Sequence, residues 1–549
     1  MTTATAARPL PARRDDRASA GTWRLVRVLL RRDRIKLPAW ILGLTVFVFY
    51  FNTALRTTIA PDEADLAAFS QFATGPVGAV MSGPGYGFDA DLTYEAFFVG
   101  TYGLYFLLAA ALMNILLIAR HTRVEEQSGR AELVRASAVG RNAPLTAALV
   151  VAVVANLAVA LLIGAATASF GYAAHGSLLF GAGIGAAGLA FAGVAAVTMQ
   201  VTEYSRAGAG LAGMVLGAAY LIRAAGDMLT EHGSLLSGFS PLAWSQQTRP
   251  FVDGRWWPLL LSLAFAAGTA ALGYALAGQR DLGAGLRAPR PGAARAAGWM
   301  RSPAGLALRL QRASILGWTI ALAVLSVAYG VLVGPMTDTF ASLSSDFMAI
   351  LGTEQDVLDG YLSFMVIYDA VLVSVFAILA VQGARSEETR GRAEPVLATA
   401  TGRVHWLAAY LAVTAAGVLV ILAVAGLAFG IGAAISSGDA SLVWDLTIAH
   451  LVRAPEVLTF MGVAALLFGI TPRALPLTWA LLVYATLLAF FGPLLDPPSW
   501  LHDLSPLDQV ARLPLEAFSF TPLLVVSAVA AAATAAGLAA FRRRDLTAT

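Results

Sequence analysis

The sequence predicts an all-α polytopic membrane protein built as two bundles of six transmembrane helices in parallel orientation. Three observations predict it. Charged residues make up only 13% of the chain against 58% hydrophobic ones, where a soluble domain carries about 25% charge. Those charges stand between twelve apolar stretches, each close to the roughly 20 residues that a helix needs to cross a bilayer. Finally, a nineteen-residue segment recurs 262 residues downstream with twelve identical positions.

The elements follow in order. Residues 1–20 contain no apolar run and read as a disordered cytoplasmic tail. Next, WRLVRVLLRRDRIKLP interleaves Trp23, Leu25, Val26, Leu29 and Leu30 with Arg24, Arg27, Arg31, Arg32 and Arg34, the pattern of an amphipathic helix lying in the inner membrane interface. The expected spans are 39–57, 97–119, 144–169, 178–200, 207–224 and 258–278 in the first half. Those of the second half are 315–334, 361–383, 405–434, 455–471, 475–495 and 521–541. Residues 21–280 therefore form the first half and 312–549 the second. Residues 281–311, basic and rich in Gly and Pro, link them. The external segments 225–257 and 496–520, with Trp244, Trp256, Trp257 and Trp500, are too apolar for free loops. GAGIGAAGLAFAG at 181–193 and Gly213-x-x-x-Gly217 read as small-residue packing surfaces.

Charge sets the orientation. With the N-terminus in the cytoplasm, the cytoplasmic segments hold 31 Lys and Arg, and the external ones six: Arg56, Arg223, Arg249, Arg255, Arg453 and Arg512. That is a strong positive-inside bias. The loops 58–96 and 335–360 are acidic, with Asp62, Glu63, Asp65, Asp89, Asp91 and Glu95 in one and Asp338, Asp346, Glu354, Asp356 and Asp359 in the other. Both termini are then cytoplasmic. The isoelectric point near 9.2 does not point to nucleic acid, because the arginines flank apolar segments. The absence of cysteine excludes thiolate metal sites and thiol redox chemistry, and the six histidines are scattered, without H-E-x-x-H spacing.

The repeat pairs RVEEQSGRAELVRASAVGR (123–141) with RSEETRGRAEPVLATATGR (385–403). Other marks recur at similar offsets: Arg34 and Trp40 with Arg312 and Trp318, Arg206 with Arg473, Ser240-Pro241-Leu242 with Ser505-Pro506-Leu507, and Arg280-Asp281-Leu282 with Arg544-Asp545-Leu546. Six spans separate equivalent points, so both halves have one orientation, and a pseudo-two-fold axis runs along the membrane normal. Both motif copies fall on the cytoplasmic side. Each is expected to be a short charged helix that presents a surface to a partner. Within such a helix, Glu126 and Arg130, and likewise Glu388 and Arg392, stand at i,i+4 and can pair.

A P-loop, G-x-x-x-x-G-K-[ST], requires a lysine after a glycine turn. The only lysine, Lys36, lies in RRDRIKLP with no such turn, and no cytoplasmic segment is long enough for a nucleotide-binding domain. This chain is therefore expected to hold no cofactor and no metal, and to carry no catalytic site of its own.

The motif resembles the coupling-helix region of ATP-binding-cassette exporter permeases of the second type, roughly Glu-x-x-x-Gly-(Thr)-x-Glu after the second span. Here it stands as Glu125, Gly129, Arg130 and Glu132, and again as Glu387, Gly391, Arg392 and Glu394. Arg130 and Arg392 occupy the place where that family often has Thr. The whole chain looks like the fused twelve-span form identified with polyketide-antibiotic (tetronasin-type) and mycobacterial multidrug efflux permeases. The resemblance implies a bacterial plasma-membrane exporter paired with two copies of a separate nucleotide-binding subunit that binds ATP and Mg. It also implies short re-entrant helices before the sixth span of each half. Glu125, Glu126, Gly129, Arg130 and Glu132, with Glu387, Glu388, Gly391, Arg392 and Glu394, would couple that ATPase to rigid-body rocking of the halves.

Asp369, in YLSFMVIYDAVLVSVFAILAVQ, is the charge clearly embedded in a span, roughly 12 Å deep at 1.5 Å per residue. Its equivalent in the first half is Leu107. It reads either as a group that binds a cationic drug or helps gate an outward vestibule, or as a hydrated or hydrogen-bonded packing residue. Phe47, Tyr50, Phe98, Tyr102, Tyr105, Phe364 and Tyr368 crowd the first two spans of each half. They are candidates to line a path for large amphipathic substrates, lipid-facing packing being the plainer alternative. A proton-coupled secondary multidrug transporter shares the twelve-span topology and is the rival reading. It calls for several buried acids or histidines, and the sequence shows one buried acid.

Overall fold

Backbone inside hydrocarbon must satisfy its own N–H and C=O groups, so long apolar runs become helices. The computed structural model bears this out over residues 18–63, 66–67, 70, 76–88, 92–230, 232–286, 295–341, 354–495 and 498–545, which it describes. Most of the expected tail, the centre of the linker, and the expected external acids Asp65, Asp89, Asp91 and Asp346 lie outside these residues. The chain divides into two compact units, Met1–Pro291 and Gly292–Thr549.

In the first unit, α1 (Thr22–Arg32) buries Val26 and Leu29 and leaves Trp23 exposed, the split expected of an interfacial helix. It stops at Asp33, whose carboxylate takes Arg120 Nη1 at 2.5 Å and His121 Nε2 at 2.6 Å. α2 (Lys36–Ala54) ends in a π-helical turn, Leu55–Ile59. α3 (Tyr94–His121) starts where the Thr93 hydroxyl accepts from Ala96 N at 3.2 Å, a side-chain cap for an otherwise orphaned donor. Two short helices, α4 (Arg123–Gln127) and α5 (Arg130–Arg135), carry the motif. α6 (Ala143–Ala168), α7 (Ala174–Val201), α8 (Ser205–Leu229) and α9 (Trp257–Gly278) complete the unit. The small residues of 181–193 put α7 at its centre, buried along most of its length. At Gly188 a Cβ would lie 2.1 Å from Asn156 Oδ1, so only glycine permits the approach of α6.

In the second unit, α10 (Pro303–Val331) is capped by Ser302, whose hydroxyl accepts from Gly305 N at 3.1 Å. α11 (Glu354–Thr389) runs unbroken from the acidic loop into the motif, followed by α12 (Glu394–Leu397). α13 (Arg403–Ser437), α14 (Leu442–Val452), α15 (Ala454–Ile470), α16 (Leu477–Leu495) and α17 (Phe520–Arg543) follow.

Among the described residues, eleven helices are long and apolar enough by length and composition to cross a membrane, and the twelfth expected span, 475–495, is the nineteen-residue apolar helix α16, Leu477–Leu495. Three expectations need correction. The expected span 455–471 begins instead at Leu442, because α14 and α15 form one span interrupted at Arg453. Arg223 and Arg453, read as external residues, sit within helical spans at 0% and 1% exposure. Counting charge cannot separate an arginine just past a span from one buried with a partner inside it. Neither motif copy is one continuous helix. Each is broken at a glycine in left-handed conformation, Gly129 at φ 73° and Gly391 at φ 68°, a conformation that costs other residues a Cβ clash.

Candidate functional site

The glycine break decides how the motif pairs. Across a turn at positive φ the helical phase is lost, so the expected i,i+4 pairs do not form. Arg130 instead reaches back to Glu125, Nε to Oε2 at 3.0 Å, and Arg392 reaches Glu387, Nη2 to Oε1 at 2.9 Å. Glu125 also pairs with Arg32 of α1. Glu126 and Glu388 turn the other way, towards the end of the last span of their own unit. Arg280, just after α9, grips both oxygens of Glu126 at 2.6 and 2.8 Å, a fork geometry that fixes orientation as well as charge. Arg544, just after α17, donates to Glu388 Oε2 at 2.6 Å.

The far end of each motif closes a second link to the same place. Arg141 donates to the carbonyls of Ala277, Gly278 and Arg280 at 3.1, 2.7 and 3.2 Å, groups that the end of α9 leaves open. Arg403 donates to the carbonyl of Arg544 at 2.9 Å. The repeated Arg-Asp-Leu mark thus has a structural meaning: in both units its arginine ties the motif to the end of the last span. The first copy is anchored further. Arg123, fully buried, holds Met199 O at 2.9 and 2.7 Å, Ala284 O at 3.0 Å and Glu126 at 2.8 Å. Glu132 and Glu394 are exposed, as is Leu133 at 75%, so these residues form the free face of the motif.

In the first unit the expected path residues Phe47, Tyr50, Phe98 and Tyr102 belong to one network of ring contacts through Phe51, and in the second Phe364 and Tyr368 share Phe490. Phe98 is buried in an aromatic cluster with Phe106, Tyr172 and Phe180. Tyr102 stacks on Phe51 at 4.7 Å, while Phe47, Tyr50 and Tyr105 are exposed on the first unit. Phe364 and Tyr368 are partly exposed on the second, next to Phe490 at 4.8 and 6.3 Å. An apolar groove of about 750 Å³ between α13, α14, α15 and α17 includes none of these aromatics. Asp369 is wholly buried, with Ser326 Oγ donating to Oδ2 at 2.8 Å and His450 Nε2 at 3.2 Å from the same oxygen.

Away from the motifs, buried ion pairs inside the spans hold the apolar connecting segments. In the first unit, Arg223 pairs with Asp227 at 3.2 Å and donates to Ala79 O at 3.0 Å and to Val80 O, while Ser237 donates to Asp227 at 2.6 Å. Tyr86 adds a bond to His232 O at 2.9 Å under the Arg249 guanidinium; burial pushes its phenol up from the ordinary value, against the pull of Arg249. In the second unit, Arg453 pairs with Glu456 at 3.0 Å and donates to Leu507 O, Val510 O and Ala511 O, and Glu456 accepts from Val510 N at 3.2 Å. Arg453 stands eleven residues into the interrupted span, roughly 16 Å from its start, so segment 506–511 dips well into the unit.

His450, Glu456 and Asp227 escaped the sequence reading, and Arg223 and Arg453 were placed outside the spans. The available signal was their presence inside otherwise apolar stretches, blurred by the span boundaries drawn around 455–471 and 207–224.

Comparison with known proteins places the sequence in a family. The model described as "Multidrug efflux system permease Rv1217c, C-terminal domain" matches residues 26–276 and 300–542. The chain is also similar to the "Multidrug efflux system permease protein Rv1217c" of Mycobacterium tuberculosis (strain ATCC 25618 / H37Rv), 36% identical over 546 residues, which cover 98% of each chain. The chain belongs to this family of multidrug efflux permeases and is a multi-pass membrane protein.

Proposed function

We propose that the chain is the membrane-spanning permease subunit of an ATP-binding-cassette exporter for amphipathic drugs or polyketide-type antibiotics. ATP and Mg are bound by a separate nucleotide-binding subunit, two copies of which dock on the two motifs, one on each, at the cytoplasmic face of a bacterial plasma membrane.

The observation that carries this reading is the duplicated tie between the motif and the last span: Glu126 with Arg280, and Glu388 with Arg544. A loop that merely solvates a helix end needs no such brace, and an exposed face with a rigid root is what a pushing partner requires. Glu132, Leu133 and Glu394 supply the face, and the two Glu–Arg ties carry displacement into α9 and α17.

Co-purification with the partner ATPase, followed by drug-stimulated ATPase assays in liposomes, tests this division of labour. Glu126→Gln and Glu388→Gln keep the complex assembled and lower drug stimulation by about tenfold each, the equivalent of roughly 1.4 kcal/mol. Glu132→Arg with Glu394→Arg weakens assembly itself. Drug export by the purified chain in a proton gradient, with no ATPase present, would overturn the reading.

A further inference from the structure

The buried contact between Asp369 and His450 has a proton count that geometry dictates. His450 Nδ1 faces the carbonyl oxygen of Leu446 at 2.8 Å. A carbonyl only accepts, so Nδ1 carries hydrogen. The other ring nitrogen, Nε2, then has either a lone pair or a second hydrogen, and it points at Asp369 Oδ2 across 3.2 Å. A lone pair facing a carboxylate oxygen is repulsive. The contact is attractive only when one proton lies between the two atoms, whether on oxygen or on nitrogen, and both placements leave the pair neutral overall.

Its surroundings enforce that count. Both side chains are at most 1% exposed, and both lie in helices apolar enough to span a membrane. Loss of the proton would leave a lone carboxylate, and gain of a second would leave a lone imidazolium, each an uncompensated charge among apolar side chains. Ser326 on α10 donates to Oδ2 at 2.8 Å, while Asp369 Oδ1 is buried without a donor. Other titratable groups on the packed helices have separate engagements. Tyr361 donates to Tyr329 O at 3.0 Å, the Tyr329 and Tyr368 rings pack edge to face, and Arg453 and Glu456 satisfy each other.

We propose that Asp369 and His450 form a proton-binding site within the spans of the second unit, holding one shared proton between Oδ2 and Nε2. The site is closed in this conformation. Both side chains are buried, so exchange of the proton requires a movement that exposes one of them. The site exists in the resting chain whatever drives export.

Nitrogen NMR of the full chain, labelled at histidine and embedded in lipid bilayers, tests this without drug or ATPase. A failure here is thus distinct from a failure of the exporter reading. The His450 resonances, assigned by their loss in His450→Gln, are expected to show a protonated Nδ1 and an Nε2 that shares a proton. In Asp369→Asn, Nε2 becomes an ordinary acceptor from the amide and the sharing signature is lost. Ser326→Ala, which leaves both partners in place, moves the proton towards oxygen and shifts Nε2. An unprotonated Nδ1, or an Nε2 signal indifferent to both Asp369→Asn and Ser326→Ala, would overturn the proposal.

Discussion

The two units agree at their motif ends and differ in the middle. At the motif end, each has a glutamate bound by the arginine that follows its last span. In the middle, the first unit joins α3 to α6 through Asn114 and Asn156, whose amides exchange hydrogen bonds at 2.8 and 3.1 Å. The second unit has Phe376 and Val418 at the corresponding places and a different polar centre, Asp369 with His450 and Ser326, where the first unit has Leu107 in place of the aspartate. An amide pair satisfies itself without charge. An acid facing an imidazole does so only with a proton between them. The two units share the tie at their motif ends and differ in their interiors, where one has an amide pair and the other an acid facing an imidazole.

That comparison can be broken or sharpened by experiment. The largest effects belong to the buried ion pairs. Arg453→Met leaves Glu456 uncompensated in the interior, and Arg223→Met does the same to Asp227; each is expected to cost about 3–5 kcal/mol, read as a lower thermal midpoint of the purified protein. Arg453→Met with Glu456→Leu should recover much of that loss. If either single variant unfolds like the parent, these pairs do not hold the apolar connecting segments.

The mid-span centres come next. Asn114→Leu leaves Asn156 Oδ1 without its donor and should cost about 1–3 kcal/mol, read as a lower thermal midpoint. Asp369→Asn keeps the size of the side chain and removes the carboxylate, so it should abolish the shared-proton signature at His450 Nε2, which Asn114→Leu leaves in place. Loss of that signature in Asn114→Leu would erase the contrast between the units.

Effects of similar size or smaller belong to the two motif copies. Glu126→Gln weakens bonds to Arg280 and to the buried Arg123, for about 1.5–3 kcal/mol, and double-mutant cycles with Arg280→Ala and with Arg544→Ala for Glu388 should show coupling of the same sign in both units. Arg130→Ala and Arg392→Ala remove exposed pairs and should change stability by at most about 1 kcal/mol. A large loss from either would mean that the exposed pairs, not the ties to the last spans, support the motif.

How much of this was legible depends on the range of each interaction. The amphipathic pattern of Trp23, Val26 and Leu29 announced α1, because burial of one helix face is a local property of sequence. The repeat announced the motif and even the Arg280 and Arg544 marks, but not that they touch, since 154 and 156 residues separate each arginine from its glutamate. The pairing expected between Glu126 and Arg130 failed because it presumed an unbroken helix through Gly129. Asp369 was visible as a charge in an apolar run; its partner His450 was assigned to a loop, because the break at Arg453 hid the start of that span.

The sequence by itself determined the class of the protein: hydrocarbon leaves helix as the way for a single apolar segment to satisfy its backbone, and identical charged segments declare a duplicated architecture. Only the tertiary structure decided which charges meet. Pairing energies depend on distance and burial, and both are set by helix packing: the ties of Glu126 and Glu388, the buried pairs of Arg223 and Arg453, and the proton count of Asp369 and His450 all arise between side chains brought together by helices far apart in the chain or by the way a helix is broken and buried.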